Sequence, residues 1–439
     1  MRGAPLDADG RHLRDAEGRI ALLRGVNARV EGVFDVSFDD GRVALEEIPA
    51  LEAADCERMR ALGLGLLRLP INWSGVEPEQ GRIDGDYLAR VDEAVECAAA
   101  AGLLVLIDLH QDAYSKEIGE DGAPLWAIVP APDELLEGPL DDLDARRQSR
   151  QVLDAFDSFF AAGDPHGLQA AFIAMLAEVA ATWRDHPAVI GFEIFNEPVA
   201  APAELEAFHG AAAAALREAA PEKLVFFEPP AVRNFLDSQP LASAPFPVAG
   251  AVYAPHAYTY VFGDQGAQLE ALTKDDLRFG IENARAEADA WGTPLLVGEL
   301  GIGPSQPNAD AWMQWQQELH DEVLASNAFW VWKESSQGSW GVFDLVDGAW
   351  VERPQVIDWI SRVHAERIAA DDARLDWRDG ALEITPDGPF DAPTSIYVPA
   401  SSADTFRLEC DGDAVPSPSR DGATGLVDVV CAGRLVVRP

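Results

Sequence analysis

The chain has 439 residues, of which 48% are hydrophobic and 25% are charged, as in ordinary globular proteins. Acidic residues number 75 against 33 basic ones, so the formal net charge is −42. A surface of that sign repels nucleic acid and anionic membranes. No segment is apolar over the roughly 18–20 residues that a membrane span requires, so we expect no stable membrane insertion.

The length predicts one large domain and one smaller domain. The first 24 residues are polar and charged and contain no apolar core of a signal peptide. We therefore expect a cytoplasmic protein as the chain stands, or a secreted one if an export signal is missing from this chain. A monomer without metal or cofactor is expected. The acidic, lysine-poor surface fits an adaptation to high salt and a simple compositional bias equally well.

Eight apolar segments predict β-strands that alternate with helices. The predicted strands are 20–26, 66–70, 103–109, 189–195, 224–227, 248–253, 294–297 and 328–332. The predicted helices are 50–62, 87–101, 167–184, 202–219, 272–291, 309–325 and 354–368. This alternation predicts an α/β protein whose residues 1–368 form a (β/α)8 TIM barrel. An open doubly wound sheet is disfavoured, because no glycine-rich phosphate-binding motif follows the first strand.

Two regions depart from the alternation. Residues 111–165 form a connection far longer than the usual two to six residues of a βα loop. From residue 369 onward, short β-rich runs separated by Asp-Gly and Pro turns predict a small C-terminal β-sandwich, residues 369–439.

The four cysteines do not form a close metal-type pair. Cys56 and Cys97 lie on predicted helix faces and are predicted to be core thiols. Cys410 and Cys431 fall in two strand-like runs and would form a disulfide in an exported protein, which the sequence leaves open.

Polar or aromatic residues follow or end most of the predicted strands. They are Arg68, His110, Asn196, Glu197, His256, Tyr258, Glu299 and Trp332. Because the carboxyl ends of barrel strands converge on one face, we expect these side chains to form one site. Two carboxylates on separate strands suit glycoside hydrolysis. One protonates the leaving oxygen, while the other attacks the anomeric carbon or activates water.

This set resembles the active site of glycoside hydrolase family 5, of clan A, over residues 15–368. The resemblance implies that Glu197, in the Asn-Glu-Pro turn after the fourth strand, is the acid/base and that Glu299 is the nucleophile. It also implies retention of configuration, with the two carboxyl groups about 5–5.5 Å apart. Chemistry predicts a pKa of Glu197 raised by a neighbouring negative charge, and an ionised Glu299.

The remaining residues take binding roles by the same resemblance. Arg68 and the Tyr258 hydroxyl are expected partners of Glu299. Asn196 is expected to hydrogen-bond the 2-hydroxyl of the sugar. His110 and His256 would orient the sugar and its catalytic partners, and Trp332 would form the platform beneath the sugar ring.

A narrower resemblance, to endoglycoceramidases and related glycolipid glycosidases, rests on Asp-Leu-His-Gln-Asp-Ala-Tyr-Ser at 108–115 and Asp-Gly-Ala-Pro-Leu-Trp-Ala at 121–127. It implies a retaining β-glycosidase that cleaves the bond between sugar and ceramide in glycosphingolipids, with Asp112 and Trp126 in contact with the sugar. The expected partner is a glycolipid or oligosaccharide substrate.

Other readings stay open. The apolar residues of segment 113–165 would line a groove for a lipid or pack on the barrel rim. Those residues are Trp126, Ile128, Val129, Phe156, Phe159 and Phe160. The alternative substrates are sterol glucosides or soluble glucans, for a β-glucosidase or endo-β-glucanase. A catalytically inactive carbohydrate-binding barrel is disfavoured, since both carboxylates are present. The first loop, 28–32, departs from the family pattern and leaves the sugar specificity undecided.

Overall fold

The computed structural model describes residues 6–236, 248–262, 266–334, 340–388, 392–416 and 418–439. Its largest sheet contains eight parallel strands, of which neighbours in chain order are paired except the sixth and seventh, and the eighth is also paired with the first. These barrel strands are Arg24–Asn27, Leu66–Asn72, Leu104–His110, Val189–Glu193, Leu224–Phe227, Ala251–Tyr253, Leu296–Leu300 and Ser326–Phe329. Single backbone bridges, Tyr253 to Leu295 and Ala257 to Leu300, join the sixth strand to the seventh. The predicted (β/α)8 barrel is confirmed.

The barrel strands are apolar because both of their faces are covered. Every residue of the second and third strands is buried, for example. Arg68, Asp108 and Glu193 are charged exceptions inside these runs, and each has 0% exposure. Ionised groups are tolerated at such positions only when they are paired, so these three residues mark a polar network inside the barrel.

Helices cover the outside of the barrel. They are Ala53–Ala61, Trp73–Val76, Gly85–Ala100, Leu143–Arg147, Arg150–Phe159, Leu168–Trp183, Pro202–Ala219, Val232–Leu236, Gly266–Ala271, Lys274–Trp291, Ala309–Glu322 and Pro354–Ile360, with 3₁₀ turns at Leu125–Ala127 and Ala400–Ser402. Gly85–Ala100 shows why they form: the Asp84 carboxylate accepts hydrogen bonds from two backbone N–H groups of its first turn, and its buried residues recur every three to four positions.

Two antiparallel sheets pack face to face beside the barrel. The six-stranded sheet contains Asp7–Asp9, His12–Arg14, Ile20–Ala21, His364–Ile368, Thr394–Tyr397 and Leu426–Val429. The five-stranded sheet contains Asp372–Arg378, Ala381–Asp387, Leu435–Arg438, Arg407–Cys410 and Asp413–Ala414. A hairpin, Phe343–Val346 with Ala349–Glu352, lies between the last barrel strand and this region. Ile20, Ile368, Leu382 and Val437 belong to one apolar core between the two sheets.

The predicted closing helix 354–368 is wrong in its second half. The helix ends at Ile360, and His364–Ile368 is a strand paired with Ile20–Ala21 on one side and Thr394–Tyr397 on the other. All five residues of this strand are buried, and a short buried run cannot be assigned to helix or strand by periodicity. The division of the chain into domains at residue 368 stays a prediction.

The long connection after the third strand packs on the barrel rim. Ile128, Phe156, Phe159 and Phe160 are buried, with 4% exposure or less. Phe159 stands at the centre of an aromatic cluster in which its ring lies 4.9–6.2 Å from those of Trp73, Phe160, Phe172, Phe195 and Phe208. Of the two readings of this segment, these contacts support packing on the rim.

The cysteines are paired. The prediction of Cys56 and Cys97 as core thiols is wrong: they form a disulfide, with 6.3 Å between their Cα atoms. The helices Ala53–Ala61 and Gly85–Ala100 pack side by side and bring the two together, which no sequence pattern indicates. Cys410 and Cys431 form a second disulfide, with a Cα separation of 5.8 Å. None of the described helices is both long and apolar enough to cross a bilayer.

Candidate active site

Arg68 is the centre of the polar network under the C-terminal face of the barrel. Its guanidinium lies 2.7–3.5 Å from oxygens of six side chains: Asn27, Asp108, Glu193, Asn196, Glu228 and Glu299. Burial lowers the pKa of Arg68, but Asp108, Glu193 and Glu299 raise it well above its ordinary value. Arg68 is therefore a permanent cation that neutralises part of a ring of carboxylates.

Glu299 is the penultimate residue of the seventh strand and lies next to its two predicted partners. Its Oε1 accepts a hydrogen bond from Arg68 Nη1 at 2.7 Å, and its Oε2 accepts one from the Tyr258 hydroxyl at 2.7 Å. Burial and the neighbouring carboxylate raise the pKa of Tyr258 well above its ordinary value, so the phenol keeps its proton and donates. Both oxygens of Glu299 are thus held in fixed positions, as a nucleophile requires.

Glu197 lies in a turn that its neighbours stabilise. Its φ angle is +39°, in the left-handed region that non-glycine residues seldom adopt. The Gln111 side chain donates hydrogen bonds to the carbonyl oxygens of Asn196 and Glu197, at 2.8 and 3.1 Å. Asn196 in turn accepts from Arg68 and donates to the Gln111 carbonyl. Such strain persists where surrounding contacts enforce it, which is common at functional sites.

Glu197 is paired with a cation. Its Oε1 lies 2.9 Å from His256 Nδ1 and accepts a hydrogen bond from Asn234 Nδ2 at 3.3 Å. Burial raises the pKa of Glu197, but the hydrogen bond and charge of His256, followed by Arg147 and His110, lower it to about 2. The expected rise is therefore wrong, because it considered a neighbouring carboxylate and no cation. The same pairing raises the pKa of His256 above its ordinary value.

The two carboxylates are close together. One oxygen of Glu197, one of Glu299 and a ring nitrogen of His256 all lie within 4.8 Å of one another. Carboxyl groups about 5–5.5 Å apart suit direct attack on the anomeric carbon, whereas an inverting enzyme needs about 6.5–9.5 Å to admit a water. The geometry therefore favours a double-displacement reaction.

The carboxylates open into a pocket. It is lined by Asp112, Arg147, Asn196, Glu197, Phe235, Tyr258, Phe262, Glu299, Trp330, Glu334 and Trp340. The rings of Phe262 and Trp340 are stacked with centroids 5.5 Å apart, and Tyr258 packs edge-on against Phe262. Aromatic rings around a few convergent polar groups are typical of sugar-binding pockets.

The prediction of Trp332 as the sugar platform is wrong. Trp332 is 1% exposed, donates its indole N–H to Asp55 at 3.0 Å and packs against Phe343. The tryptophan that lines the pocket is Trp330, whose ring lies parallel to that of His110 at 5.5 Å. The predicted strand extends to residue 332, but the observed strand ends at Phe329, so strand alternation does not apply beyond it.

His110 and Asp112 lie near Trp330, His110 against its ring and Asp112 with it in the pocket lining. His110 Nδ1 is 2.6 Å from Asp108 Oδ2, and burial lowers the pKa of His110 to about 4, so the ring is neutral near pH 7. Its Nε2 atom is buried and has no hydrogen-bond partner among the described residues. Asp112 lines the pocket and accepts a hydrogen bond from Arg147 at 2.6 Å.

Trp126 lies apart from the other predicted residues. It is half-buried, donates its indole N–H to the Glu77 carbonyl at 3.0 Å and packs edge-on against Trp73. It is not one of the residues that line the pocket described above. Its contact with the sugar stays a prediction.

Several functional residues escape the sequence analysis. Glu228 directly follows the fifth strand, so the rule used for the other strand ends would have found it. Asn234, Arg147 and Glu334 lie further along the loops and carry no sequence signal. Trp330 is missed because the predicted strand extends to residue 332, beyond the observed end at Phe329.

Three clusters of histidine and carboxylate bring metal-ligand atoms within 4.8 Å of one another. They are His110–Asp112–Asp121, Glu193–Glu228–His256 and Glu197–His256–Glu299. In each cluster at least one member is already bonded to an arginine or to Tyr258. Hydrogen bonding and ion pairing therefore account for these groupings.

A (β/α)8 barrel with two carboxylates this close on its C-terminal face has the architecture of retaining glycoside hydrolases. The chain belongs to the family Cellulase (glycosyl hydrolase family 5), whose family model matches residues 38–336.

The chain is also similar to individual known proteins. Endoglycoceramidase I of Rhodococcus hoagii (strain 103S) is 28% identical over 323 residues, which cover 68% of this chain and 63% of that protein. A glucosylceramidase of Cryptococcus neoformans var. grubii is 27% identical over 246 residues, 44% of this chain and 33% of that protein. The chain thus spans less than two thirds of the length of either relative.

Among solved structures, endo-glycoceramidase II from Rhodococcus sp. in a cellobiose-like imidazole complex superposes with a TM-score of 0.79. The match has 25% sequence identity and covers 98% of this chain and 99% of the other. The similarity therefore includes the two sheets beside the barrel.

Proposed function

We propose that the protein is a retaining β-glycosidase that cleaves the bond between sugar and ceramide in glycosphingolipids. The observation that carries the reaction type is the short separation of Glu197 and Glu299, each held by its own set of partners. The names of the relatives, endoglycoceramidase and glucosylceramidase, support the substrate class.

The reaction follows from the two carboxylates. Glu299 attacks the anomeric carbon while Glu197 delivers a proton to the departing oxygen, which gives a covalent glycosyl-enzyme and a free aglycone. Glu197 then takes a proton from water, the water oxygen attacks the same carbon, and Glu299 is released. Two inversions at one carbon give net retention. Trp330 supports the sugar ring and Asn196 holds its 2-hydroxyl.

An exposed apolar surface supports a lipid aglycone. Val199, Val232, Phe235 and Tyr260 are each 38–45% exposed and lie on the loops after the fourth, fifth and sixth strands. Asn234 anchors the middle one of these loops to Glu197, so Val232 and Phe235, on the same short helix, lie close to the acid/base. The aglycone must lie there too, because the acid/base protonates its oxygen. Hydrocarbon chains bind such a surface by removing apolar area from water.

The test compares a lipid substrate with a short one. Incubation with a panel of glycosylceramides, aryl β-glycosides, sterol glucosides and cello-oligomers, with products identified by mass spectrometry, should show release of ceramide. Phe235→Ser should lower kcat/KM on glycosylceramide about tenfold and leave an aryl β-glycoside nearly unchanged. Phe279→Ser is the matched control, since Phe279 is 59% exposed on the helix Lys274–Trp291 and is not a pocket-lining residue.

Turnover of cello-oligomers or sterol glucosides, with no release of ceramide, would replace the glycolipid assignment by the corresponding glucosidase. Equal losses on both substrates in Phe235→Ser would remove the apolar surface as a lipid site. An aryl β-glycoside left intact by the wild-type protein would contradict the hydrolase itself.

A further inference from the structure

Glu228 lies on the far side of the histidine that contacts the acid/base. It directly follows the strand Leu224–Phe227 and has 0% exposure. Its Oε1 lies 3.4 Å from His256 Nε2 and 3.5 Å from Arg68 Nη2. The other nitrogen of the same ring, Nδ1, lies 2.9 Å from Glu197 Oε1. One imidazole therefore bridges a wholly buried carboxylate and the acid/base.

The same loop fixes the geometry of this bridge. Asn234, six residues after Glu228, donates its side-chain N–H to Glu197 Oε1 at 3.3 Å. Its side-chain oxygen accepts the backbone N–H of His256 at 3.0 Å. Gly298 leaves room for the ring, because a Cβ atom there would lie 3.1 Å from His256 Nε2. The imidazole is thus held between the two carboxylates by the fifth and seventh barrel strands and their loops.

We propose that Glu228 is a positioning residue that acts through His256 to keep a proton available to Glu197. The proposal rests on the hydrolase function proposed above and adds to it the origin of the acid proton. Glu228 touches neither the pocket nor the reacting atoms, since it lies beneath the residues that line the pocket.

The charges around His256 support this role. The charged or titratable groups that face it come from six barrel strands or the segments that follow them: Arg68, Asp108, His110, Glu193, Glu197, Glu228, Tyr258 and Glu299. Burial lowers the pKa of His256, but Glu228 and Glu299 raise it well above its ordinary value. Burial also raises the pKa of Glu228. The pair of Glu228 and His256 therefore retains a proton through neutral pH.

The proton balance of the reaction is then complete. In the first step the Nδ1–H bond of His256 breaks, its proton passes to Glu197 and on to the glycosidic oxygen, and that oxygen keeps the electron pair of the broken C–O bond. The ring becomes neutral, with its Nε2–H facing Glu228. In the second step the proton of the attacking water returns through Glu197 to Nδ1. By stabilising the ring cation, Glu228 sets the highest pH at which His256 still holds the proton for Glu197.

The experiment measures kcat/KM against pH on an aryl β-glycoside for wild type, Glu228→Gln and Glu228→Asp. In Glu228→Gln the basic limb of the kcat/KM–pH profile should move to lower pH by about one unit or more, because the His256 ring loses its counter-charge. Glu228→Asp keeps the charge and should recover part of the shift. Glu287→Gln is the matched control, since Glu287 accepts hydrogen bonds from Arg233 and Tyr253 and has no contact with His256.

An NMR titration of the imidazole signals makes the test independent of turnover, with the His256 signal assigned from a His256→Asn variant. The signal should titrate at lower pH in Glu228→Gln than in wild type. The proposal would be overturned if a folded Glu228→Gln variant showed the same basic limb of the pH profile and the same His256 titration as wild type. If Glu228→Gln fails to fold, Glu228→Asp decides by the same two measurements. A wild-type protein that cleaves no glycoside would contradict the proposed function, while the His256 titration would still decide the role of Glu228.

Discussion

Trp330 and Trp332 are two residues apart, yet their indoles lie in different environments at the end of the eighth strand. Trp330 is half-buried, lines the pocket and stacks on His110, whereas Trp332 is buried against Asp55 and Phe343. One position faces the pocket and the other belongs to the barrel core. Truncation of Trp330 should therefore affect activity, whereas truncation of Trp332 should affect stability.

Trp330→Ala should lower kcat/KM on an aryl β-glycoside about tenfold or more, equivalent to about 1.4 kcal/mol of lost stacking. Its Tm should change little, because the side chain is partly exposed. Trp332→Ala should lower the free energy of unfolding by about 3–5 kcal/mol through cavity formation. Thermal unfolding and kinetics on both variants check this. A stable but inactive Trp332→Ala would contradict the assignment of the platform to Trp330.

Glu299→Gln and Glu197→Gln should each lower kcat about a thousandfold or more, since each removes a group that acts in the transition state. Azide should partly restore turnover of an activated substrate by Glu197→Ala, because a small anion attacks the glycosyl-enzyme without a base. The product should be a β-glycosyl azide, identified by NMR. A hydrolysis product of inverted configuration from wild type would exclude the double displacement.

Asp321 should control acid stability. The buried Asp321 carboxylate accepts hydrogen bonds from buried Arg24 at 2.5 Å and from the partly buried Arg362 and Trp377, each at 2.7 Å. Burial alone would raise the pKa of Asp321. Arg362 and Arg24 lower it by more, so the pKa lies below its ordinary value. The ionised form therefore stabilises the fold above the unfolded-state pKa of about 3.9, and this contribution is lost as the pH falls towards the lower folded-state value.

Asp321→Asn should lower the free energy of unfolding at pH 7 by about 3–5 kcal/mol, because it leaves buried guanidinium charge unpaired. The difference from wild type should shrink below about pH 4. Urea unfolding at pH 7, 5 and 3.5 measures it. Asp185→Asn, at a side chain 92% exposed, is the control and should have little effect. A difference in free energy of unfolding between wild type and Asp321→Asn that grows as the pH falls would contradict this prediction.

Phe159→Ala should act on stability alone. Its ring has 0% exposure within the aromatic cluster of the long connection, so its removal should cost about 3–5 kcal/mol. At a temperature where the variant is folded, kcat/KM on glycosylceramide and on an aryl β-glycoside should fall by the same factor or not at all. Selective loss on the glycolipid would restore the reading of this segment as a lipid groove.

The barrel is predictable because its signal repeats eight times. Each strand is a short apolar run, and single errors such as the strand end at residue 332 do not change the alternation. The active-site positions follow from one rule, that parallel strands end on the same face, and that rule places Glu197 and Glu299 together without any contact information. It also covers Glu228, which directly follows its strand.

Other features depend on contacts between distant segments. The lowered pKa of Glu197 arises from His256, 59 residues away, and the sequence does not give the protonation of that ring. The Cys56–Cys97 disulfide depends on how two helices pack. The strand His364–Ile368 is defined by its neighbours in the sheet, Ile20–Ala21 and Thr394–Tyr397. Local periodicity contains none of this information.

The pairing of Ile20–Ala21 with His364–Ile368 has a consequence for how this protein can be divided. The strands before the barrel and the strand after it share a sheet with Thr394–Tyr397 and Leu426–Val429. A gene truncated after residue 368 would encode a catalytic barrel whose flanking strands have a free edge and an uncovered apolar face. Such a fragment should aggregate rather than serve as a minimal enzyme, so recombination between relatives would have to exchange both ends of the chain together.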